Sequence, residues 1–438
     1  MNVKSFAMTA LALCALLAGC DAPRKSLHHL VVVDPGHFHA ALLQREMIPG
    51  VDGNVKVFAP QGPELEQYAK TIESYNLRES SPTSWTLDIC SSAGYIDSIP
   101  PAGHGDILVT AGNNARKTDY ICTAVAQGYN VLADKPMAID ASGFATLQKA
   151  YSQAEDKHLI IRDIMTERHD DINQLVRAAM SERQLFGAPR SVEIVDVHHF
   201  YKEVSGAPLR RPAWYYDVRQ QGEGIVDVTT HFIDLALWWC FPGSPIGVED
   251  IADICGEHAP TDVTAEQFER STGLAGWPPY LLGSLRDSVL AVMCNGKLGF
   301  TVRGVPVSVE VRWDFEGSPD TFSARIKGEK AALEIIQDAS TSYERLLRVS
   351  CDPSAALAFV SLLNGCNGNA KVSDDGAGNL TVRIPPEYRS THEEHFAKVL
   401  SAFLEDIEGG EKNEWETVNT LTKYYITTRA QAIAAGVR

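Results

Sequence analysis

The sequence predicts an α/β protein of two domains, and two patterns along the chain predict it. From residue 28 to residue 150, strand-like runs alternate with helix-like runs, as in a parallel sheet with helices on both faces. From residue 151 to 438, long runs alternate between polar and apolar residues, which is typical of an antiparallel sheet with one solvated face. We therefore expect a Rossmann-type, dinucleotide-binding domain over 28–150. Over 151–438 we expect an α+β substrate and oligomerisation domain with a large, mostly antiparallel open sheet.

The first domain is built from repeated strand and helix signals. Strands are predicted at "HHLVVVDPG", "NVKVFAP" and "DILVTAGNN", and each is followed by a stretch that predicts a helix. The third helix ends at Gly128, and the strand "YNVLADKP" follows it. In such a sheet, ligands bind at the carboxyl ends of the strands.

After Pro136 the pattern changes: a helix opened by Asp140 or Ser142 is followed by a strand at "HLIIRDIM" and a further helix at "DINQLVRAAMSER". Strands are predicted at "APRSVEIVDVHHFYK", "SVLAVMCNGKLGFTVRG", "SVEVRWDFEG", "SARIKGEKAALEII" and "LTVRIP". Two helices close the chain. In the first of them, His392 and His395 predict a solvated helix face.

Composition limits the possible functions. The chain has 438 residues, enough for two domains with full cores, and its net charge of -17 argues against nucleic-acid binding. Its nine cysteines include no Cys-x-x-Cys pair, so neither a metal site nor a dithiol redox centre is expected. In an oxidising compartment, Cys351–Cys366 or Cys240–Cys255 disulfides are possible, and free buried cysteines are the alternative.

The first twenty residues predict a targeting signal. Lys4 precedes a short apolar run, and Leu17-Ala18-Gly19-Cys20 resembles a bacterial lipobox. We expect cleavage before Cys20 and lipidation of that residue, which would anchor the protein to a membrane in the cell envelope, periplasmic or surface-facing. The alternative is an ordinary secretory signal with an incidental cysteine.

Two segments carry candidate catalytic residues. Lys135 follows an apolar strand at the carboxyl edge of the predicted sheet, although a lysine at a strand end is often merely exposed. Asp227 and His231 are four residues apart, which places them on one face of a helix. A carboxylate beside an imidazole can orient it as a general base. The alternative is an acid-rich first helical turn with a hydrogen-bonded structural histidine.

Together these segments resemble the glucose-fructose oxidoreductase, inositol dehydrogenase and rhizopine-catabolism (Gfo/Idh/MocA) family. "ADKPMA" is similar to its Glu-Lys-Pro motif, "GEGIVDVTTHFIDLALW" to its Asp-x-Gly-x-His-x-x-Asp segment, and "SARIKGEKAALEI" to its late strand pair. The chain also resembles a subgroup, often secreted or lipid-anchored, that shares "DPGHFHAAL" and "DIMTER". The resemblance implies NAD(P)-dependent chemistry on sugars or polyols.

The resemblance assigns roles to single residues. Lys135 would contact the substrate hydroxyl and the cofactor ribose, His231 would be the general base, and Asp227 would position the substrate. Of the family's three loop glycines only Gly36 is kept. The second strand ends without the acid that binds a ribose, so NAD and NADP are not distinguished. The expected cofactor-binding residues are Gly36, His37, Phe38, His39, Gly112, Asn113, Asn114, Asp134 and Lys135.

Aromatic and charged residues near these motifs suit a carbohydrate, because rings stack on sugar faces and charged groups bind hydroxyls. Trp214 and Tyr215 could equally belong to the core. The expected substrate residues are Arg168, His199, Lys202, Trp214, Tyr215 and Arg219.

The resulting hypothesis is an NAD(P)-dependent oxidoreductase that oxidises a ring hydroxyl of a sugar or glycoside with a tightly bound cofactor. Free NAD(P) is expected to be scarce outside the cytoplasm, which favours retention. The alternatives are a redox-neutral NAD-dependent glycosidase and a cofactor-free sugar-binding lipoprotein on a fold that has lost its cofactor. A homo-oligomer is compatible with the resemblance.

Overall fold

The computed structural model describes residues 27–204, 207–317, 319–409 and 413–437. The predicted targeting signal and Cys20 lie outside the described residues. None of the helices within the described ranges is both long and apolar enough to cross a membrane.

The first domain is a six-stranded parallel sheet in the order β3-β2-β1-β4-β5-β6, which confirms the predicted fold class. The order reverses between β1 and β4, as in doubly wound nucleotide-binding sheets. The sixth strand lies after residue 150 along the chain. The strands are β1 (Leu30–Val33), β2 (Asn54–Phe58), β3 (Thr86–Cys90), β4 (Ile107–Thr110), β5 (Asn130–Ala133) and β6 (Ile161–Asp163).

The helices of this domain begin and end at the expected signals. The side chain of Asn113 caps α3, Gly128 ends it in the left-handed conformation, and Asp140 caps α4. The helix after β1 is a single turn, much shorter than the alanine-rich sequence predicts. The four helices are α1 (His39–Leu42), α2 (Pro63–Leu77), α3 (Asn114–Gln127) and α4 (Ala141–Asp156).

The second domain is built on a ten-stranded sheet that is antiparallel except where β7 and β13 run parallel. Its order is β10-β12-β13-β7-β14-β15-β16-β18-β17, with β11 beside β12, while β8 and β9 form a separate hairpin. The strands are β7 (Pro189–His199), β8 (Glu203–Val204), β9 (Ala207–Pro208), β10 (Ile251–Val263), β11 (Leu285–Arg286), β12 (Val289–Val302), β13 (Val305–Asp314), β14 (Thr321–Gly328), β15 (Ala331–Gln337), β16 (Leu346–Cys351), β17 (Lys371–Asp374) and β18 (Asn379–Arg383).

Two helices of the second part of the chain, α11 and α12, pack on the first domain, and α12 also packs on the large sheet. The helix α11 buries Phe396, Leu400 and Phe403 in the same apolar cluster as Leu30 and Val32 of β1. The helices are α5 (Asp171–Ser181), α6 (Arg183–Phe186), α7 (Val218–Gln221), α8 (Thr229–Cys240), α9 (Ala265–Thr272), α10 (Ala356–Cys366), α11 (His392–Gly409) and α12 (Glu414–Ala434).

The prediction of a solvated face at His392 and His395 is wrong for His395, which is 3% exposed. His395 faces inward because α11 packs against the first domain, a contact that helical spacing alone does not reveal. His392 is exposed, although its ring lies 6.1 Å from that of His39. The strands β3, β10, β16 and β17 and the short strands β8, β9 and β11 were also not predicted. The seven described cysteines are free thiols, so neither of the two possible disulfides is formed.

A buried ion network joins the two domains. Lys423 of α12 lies 2.8 Å from Asp163 of β6 and 2.9 Å from Asp234 of α8. Arg168 binds both carboxylate oxygens of Asp234, at 2.5 and 2.7 Å, and also binds Glu416 of α12 at 2.6 Å. The network therefore holds the last parallel strand, α8 and α12 together.

We predict that Lys423→Met destabilises the protein by about 3–5 kcal/mol, because it leaves two buried carboxylates without their shared cation. Urea unfolding measures the change, and Lys149→Met on the exposed side of α4 is the matched control. A loss no larger than that of the control would mean that the network does not stabilise the domain arrangement.

Candidate active site

A cleft opens where the sheet order reverses. The loops after β1 and β4 lie side by side there, joined by a 2.7 Å hydrogen bond from the His37 amide to the Ala111 carbonyl. The cleft is thus at the position where doubly wound sheets bind nucleotides. Its lining residues are Asp34, Pro35, Gly36, Ala59, Pro60, Glu64, Leu65, Asn113, Arg116 and Trp214.

The loop after β1 is held by a buried aspartate in place of the family's first glycine. Asp34 has φ of 50°, and its carboxylate accepts hydrogen bonds from the Asn113 amide at 3.2 Å and the Tyr120 hydroxyl at 3.0 Å. Burial raises the pKa of this carboxyl group. A Cβ on Gly112 would lie 2.2 Å from Cγ of Asp34 and 2.3 Å from its carbonyl oxygen. The close approach of the two loops therefore requires glycine at position 112.

A side chain at Gly36 would have more space than one at Gly112. A Cβ there would lie 3.5 Å from Cζ2 of Trp214, an ordinary contact distance. Trp214 belongs to a short 3-10 helix, Ala213–Tyr216, of the second domain. Its ring therefore covers the loop at the residue where a dinucleotide fold brings its pyrophosphate closest to the backbone.

Two histidines of this loop share one carboxylate of the β5 end. Nδ1 of His37 and Nδ1 of His39 each lie 2.9 Å from a different oxygen of Asp134, and the Lys135 amide donates to the same carboxylate at 2.9 Å. The ring of Phe38 contacts both imidazoles, since its centroid is 4.5 Å from the centroid of each. Burial lowers the pKa of His39 to about 4 and also lowers that of His37. All four residues are thus packed together at the cleft.

The structure brings Lys135 and Asp227 together. Nζ of Lys135 lies 2.5 Å from Oδ1 of Asp227, and Nε2 of Gln221 donates to the other carboxylate oxygen at 3.1 Å. Although burial opposes ionisation of Asp227, Lys135 outweighs it and lowers the carboxyl pKa. Lys135 is therefore a paired, largely buried ammonium group rather than an exposed lysine.

His231 lies in the first turn of α8, whereas Asp227 lies in the turn before that helix. Nδ1 of His231 is buried and has no hydrogen-bond partner among the described residues. Burial lowers the pKa of His231 to about 3, and the nearby charge of Lys135 acts in the same direction. The site therefore holds a neutral imidazole whose Nδ1 is not committed to a structural contact.

The two predicted asparagines contact the second domain. Nδ2 of Asn113 donates to Gln220 at 2.7 Å, and Nδ2 of Asn114 donates to the backbone and side chain of Gln221 at 2.7 and 3.0 Å. The Asn114 side chain also accepts a hydrogen bond from the ammonium of Lys117, which is completely buried. Burial lowers the pKa of Lys117 to about 8.

The six expected substrate residues are dispersed. Trp214 alone lines the cleft after β1. His199 and Lys202 both bind Asp320, at 3.0 and 2.5 Å. The other three are elsewhere: Arg168 in the buried ion network, Tyr215 in an aromatic cluster under Arg211, and Arg219 at the surface on Asp217.

Comparison with known proteins shows what the chain is similar to. Residues 186–435 match the family described as "Putative oxidoreductase C terminal domain", which is more than half of the chain. A solved structure described as a "putative oxidoreductase" from Parabacteroides merdae has a TM-score of 0.89 and 34% identity, covering 94% of this chain and 99% of that chain. The chain belongs to this oxidoreductase family.

More distant structures share the fold. An oxidoreductase from Agrobacterium radiobacter, solved with NAD+, L-tartaric acid and magnesium, is 12% identical, with a TM-score of 0.60 over 94% of this chain and 98% of that one. Biliverdin reductase from Synechocystis, solved with biliverdin and NADP+, is 10% identical, with a TM-score of 0.58 over 93% and 99%. A search of curated proteins gives no match.

Several residues of this family member's site were not found from the sequence. Asp34 occupies the first glycine position, and only the structure shows that it holds the two loops together. Gln221 directly precedes the glycine-rich motif at Gly222, which is the signal that could have pointed to it.

We predict that Gly112→Ala destabilises this oxidoreductase by about 1–3 kcal/mol, since the new methyl group would collide with Asp34. Gly36→Ala, the matched control in the facing loop, should change stability by less than about 0.5 kcal/mol. Urea unfolding of both variants measures the difference, and equal effects would contradict the close approach at Gly112.

Proposed function

We propose that this protein is a nicotinamide-dependent oxidoreductase that oxidises a ring hydroxyl of a sugar or glycoside. The observation that carries the proposal is the Lys135–Asp227 ion pair near His231, whose Nδ1 has no partner among the described residues. Lys135 is close enough for its charge to help lower the pKa of that imidazole. An ammonium group and a free imidazole are the two groups that hydroxyl oxidation needs, one for the developing negative charge and one for the proton.

The cleft residues fit the adenosine half of such a cofactor. Leu65, Ala59 and Pro60 offer an apolar surface, and Glu64 and Arg116 add polar groups able to bind a ribose or its phosphate. Two of the fold neighbours described above were solved with NAD+ or NADP+, which supports the same assignment. The bound cofactor would supply the hydride acceptor.

In the proposed reaction the chain's own groups handle charge and proton. The Lys135 ammonium stabilises the negative charge that develops on the hydroxyl oxygen, and Asp227 holds that ammonium in place. His231, whose Nδ1 has no partner among the described residues, receives the hydroxyl proton. Burial and, after it, the nearby charge of Lys135 lower the pKa of His231, so the proton must leave the site again before the next turnover.

Trp214 bears on how the cofactor is held. A dinucleotide entering the cleft must displace the indole ring from Gly36, after which the ring would close over the bound pyrophosphate. We infer that Trp214 retains the cofactor tightly. Retention suits a lipoprotein of the cell envelope, the location that the lipobox-like sequence at Cys20 predicts, because free cofactor would be scarce there.

The same contact favours a second candidate, a sugar-binding lipoprotein without cofactor. In that case the indole ring on Gly36 fills the former pyrophosphate position permanently. The first candidate predicts that the purified protein contains a nicotinamide cofactor, and the second predicts that it contains none.

We predict that the chain from residue 21, purified without added cofactor and then denatured, releases close to one equivalent of NAD(H) or NADP(H), measured by mass spectrometry. Trp214→Ala should lose this cofactor on dialysis, whereas the exposed control Tyr388→Ala should keep it. If no cofactor is released and added NAD(P) does not bind, the result favours the cofactor-free candidate.

We also predict that His231→Asn and Lys135→Met each lower turnover by about 10²–10⁴-fold, because each removes a group that acts in the transition state. The rate is measured under single-turnover conditions, as the reduction of the bound nicotinamide seen by its absorbance, with a panel of monosaccharides and methyl glycosides. Lys149→Met is the control, and cofactor content is measured in every variant. Full activity in His231→Asn with bound cofactor would show that the base is a different residue.

A further inference from the structure

We propose that His37, His39 and Asp134 bind a divalent transition-metal ion at the edge of the cleft. Two imidazole nitrogens and a carboxylate oxygen of these residues all lie within 4.8 Å of one another. Among the described residues, no other group of three His, Cys, Asp or Glu side chains meets this criterion. The proposal is separate from the proposed function, since it requires neither a nicotinamide cofactor nor a sugar.

The spacing of the ligand atoms suits a metal centre. Each Nδ1 atom is 2.9 Å from its nearer Asp134 oxygen. Two ligand atoms at that separation subtend about 90° at an ion roughly 2.1 Å from both, which is the angle between neighbouring ligands in octahedral coordination. Because the two histidines approach different oxygens of Asp134, the ion would lie against both carboxylate oxygens with an imidazole on each side, and its remaining positions would take water or a ligand oxygen.

Charge is the second argument. Asp134 is 2% exposed, and His37 and His39 are its only ion-pair partners among the described residues. The nearest ammonium group along the chain, that of Lys135, is already paired with Asp227. A metal ion would neutralise this buried carboxylate, which is costly to leave without a cation.

The sequence position is the third argument. A doubly wound fold normally places glycines on this loop so that the backbone can approach a phosphate. Here a His-Phe-His segment fills it, and both histidines turn toward the same carboxylate. A single histidine would be enough to pair a carboxylate with a purely structural role, so the second histidine at Asp134 is unusual.

Ligand chemistry selects the class of ion. Two imidazoles and one carboxylate favour Zn²⁺, Fe²⁺, Co²⁺ or Ni²⁺ over Mg²⁺ and Ca²⁺, which prefer all-oxygen ligands. His37 is the more exposed ligand, with 14% of its side chain accessible, and it offers a path from the cleft.

The test is a Co²⁺ titration of the tag-free chain from residue 21 after chelator treatment, followed by visible absorbance and by the rise in unfolding temperature. We expect one equivalent of Co²⁺ to bind, with d–d bands, and bound Zn²⁺ to raise the unfolding midpoint. His37→Ala and Asp134→Asn should lower the affinity for Co²⁺ at least about 10-fold. The control His104→Ala removes an exposed histidine and should leave the affinity unchanged.

Two outcomes would overturn the proposal: no stoichiometric binding to the wild-type chain, or binding that persists unchanged in His37→Ala. His37 is partly exposed, so this variant keeps the test valid if Asp134→Asn does not fold. The cofactor content of each preparation is measured separately. A failure of metal binding therefore leaves the proposed oxidoreductase function untouched, and the absence of cofactor leaves the metal site untouched.

Discussion

The geometry of the candidate site depends on the buried ion network that links Asp163, Arg168, Asp234, Glu416 and Lys423. Asp234 lies one helical turn after His231 on α8, so fixing its carboxylate also fixes the start of that helix. Asp163 ends β6, the strand beside β5, and Lys135 follows β5. The network thus connects the helix that carries the imidazole to the sheet edge that carries the ammonium group.

Ion pairs of this kind specify an arrangement more than they stabilise it, because desolvation of the charges consumes much of their attraction. Arg168 meets Asp234 with two parallel hydrogen bonds, which accept a narrow range of positions. The Lys135–Asp227 pair then forms across an interface that is already aligned, and Gln221 and Asn114 add neutral hydrogen bonds at the same boundary.

The loop after β1 shows how a doubly wound fold accommodates the loss of its glycines. The required close approach has moved to Gly112, where the Asp34 side chain fills the space that a methyl group would need. The remaining loop residues point bulky rings at Asp134, and Trp214 closes the loop from the other domain. Each change adds a side chain near the cleft, so the loop is more enclosed than a glycine-rich one would be. Tight retention of a ligand is the property that such enclosure favours.

The sequence by itself determined the alternation of strands and helices and the mostly antiparallel second sheet, and its motifs singled out Lys135 and Asp227 by their resemblance to a known family. These follow from local periodicity, capping residues and motif spacing, which are readable along the chain. Only the tertiary structure decided that Arg168 lies in an ion network, that His395 is buried, and that β3 and β10 join the sheets. The reason is physical: burial and ion pairing depend on which distant element packs against a residue, and neither periodicity nor spacing contains that information.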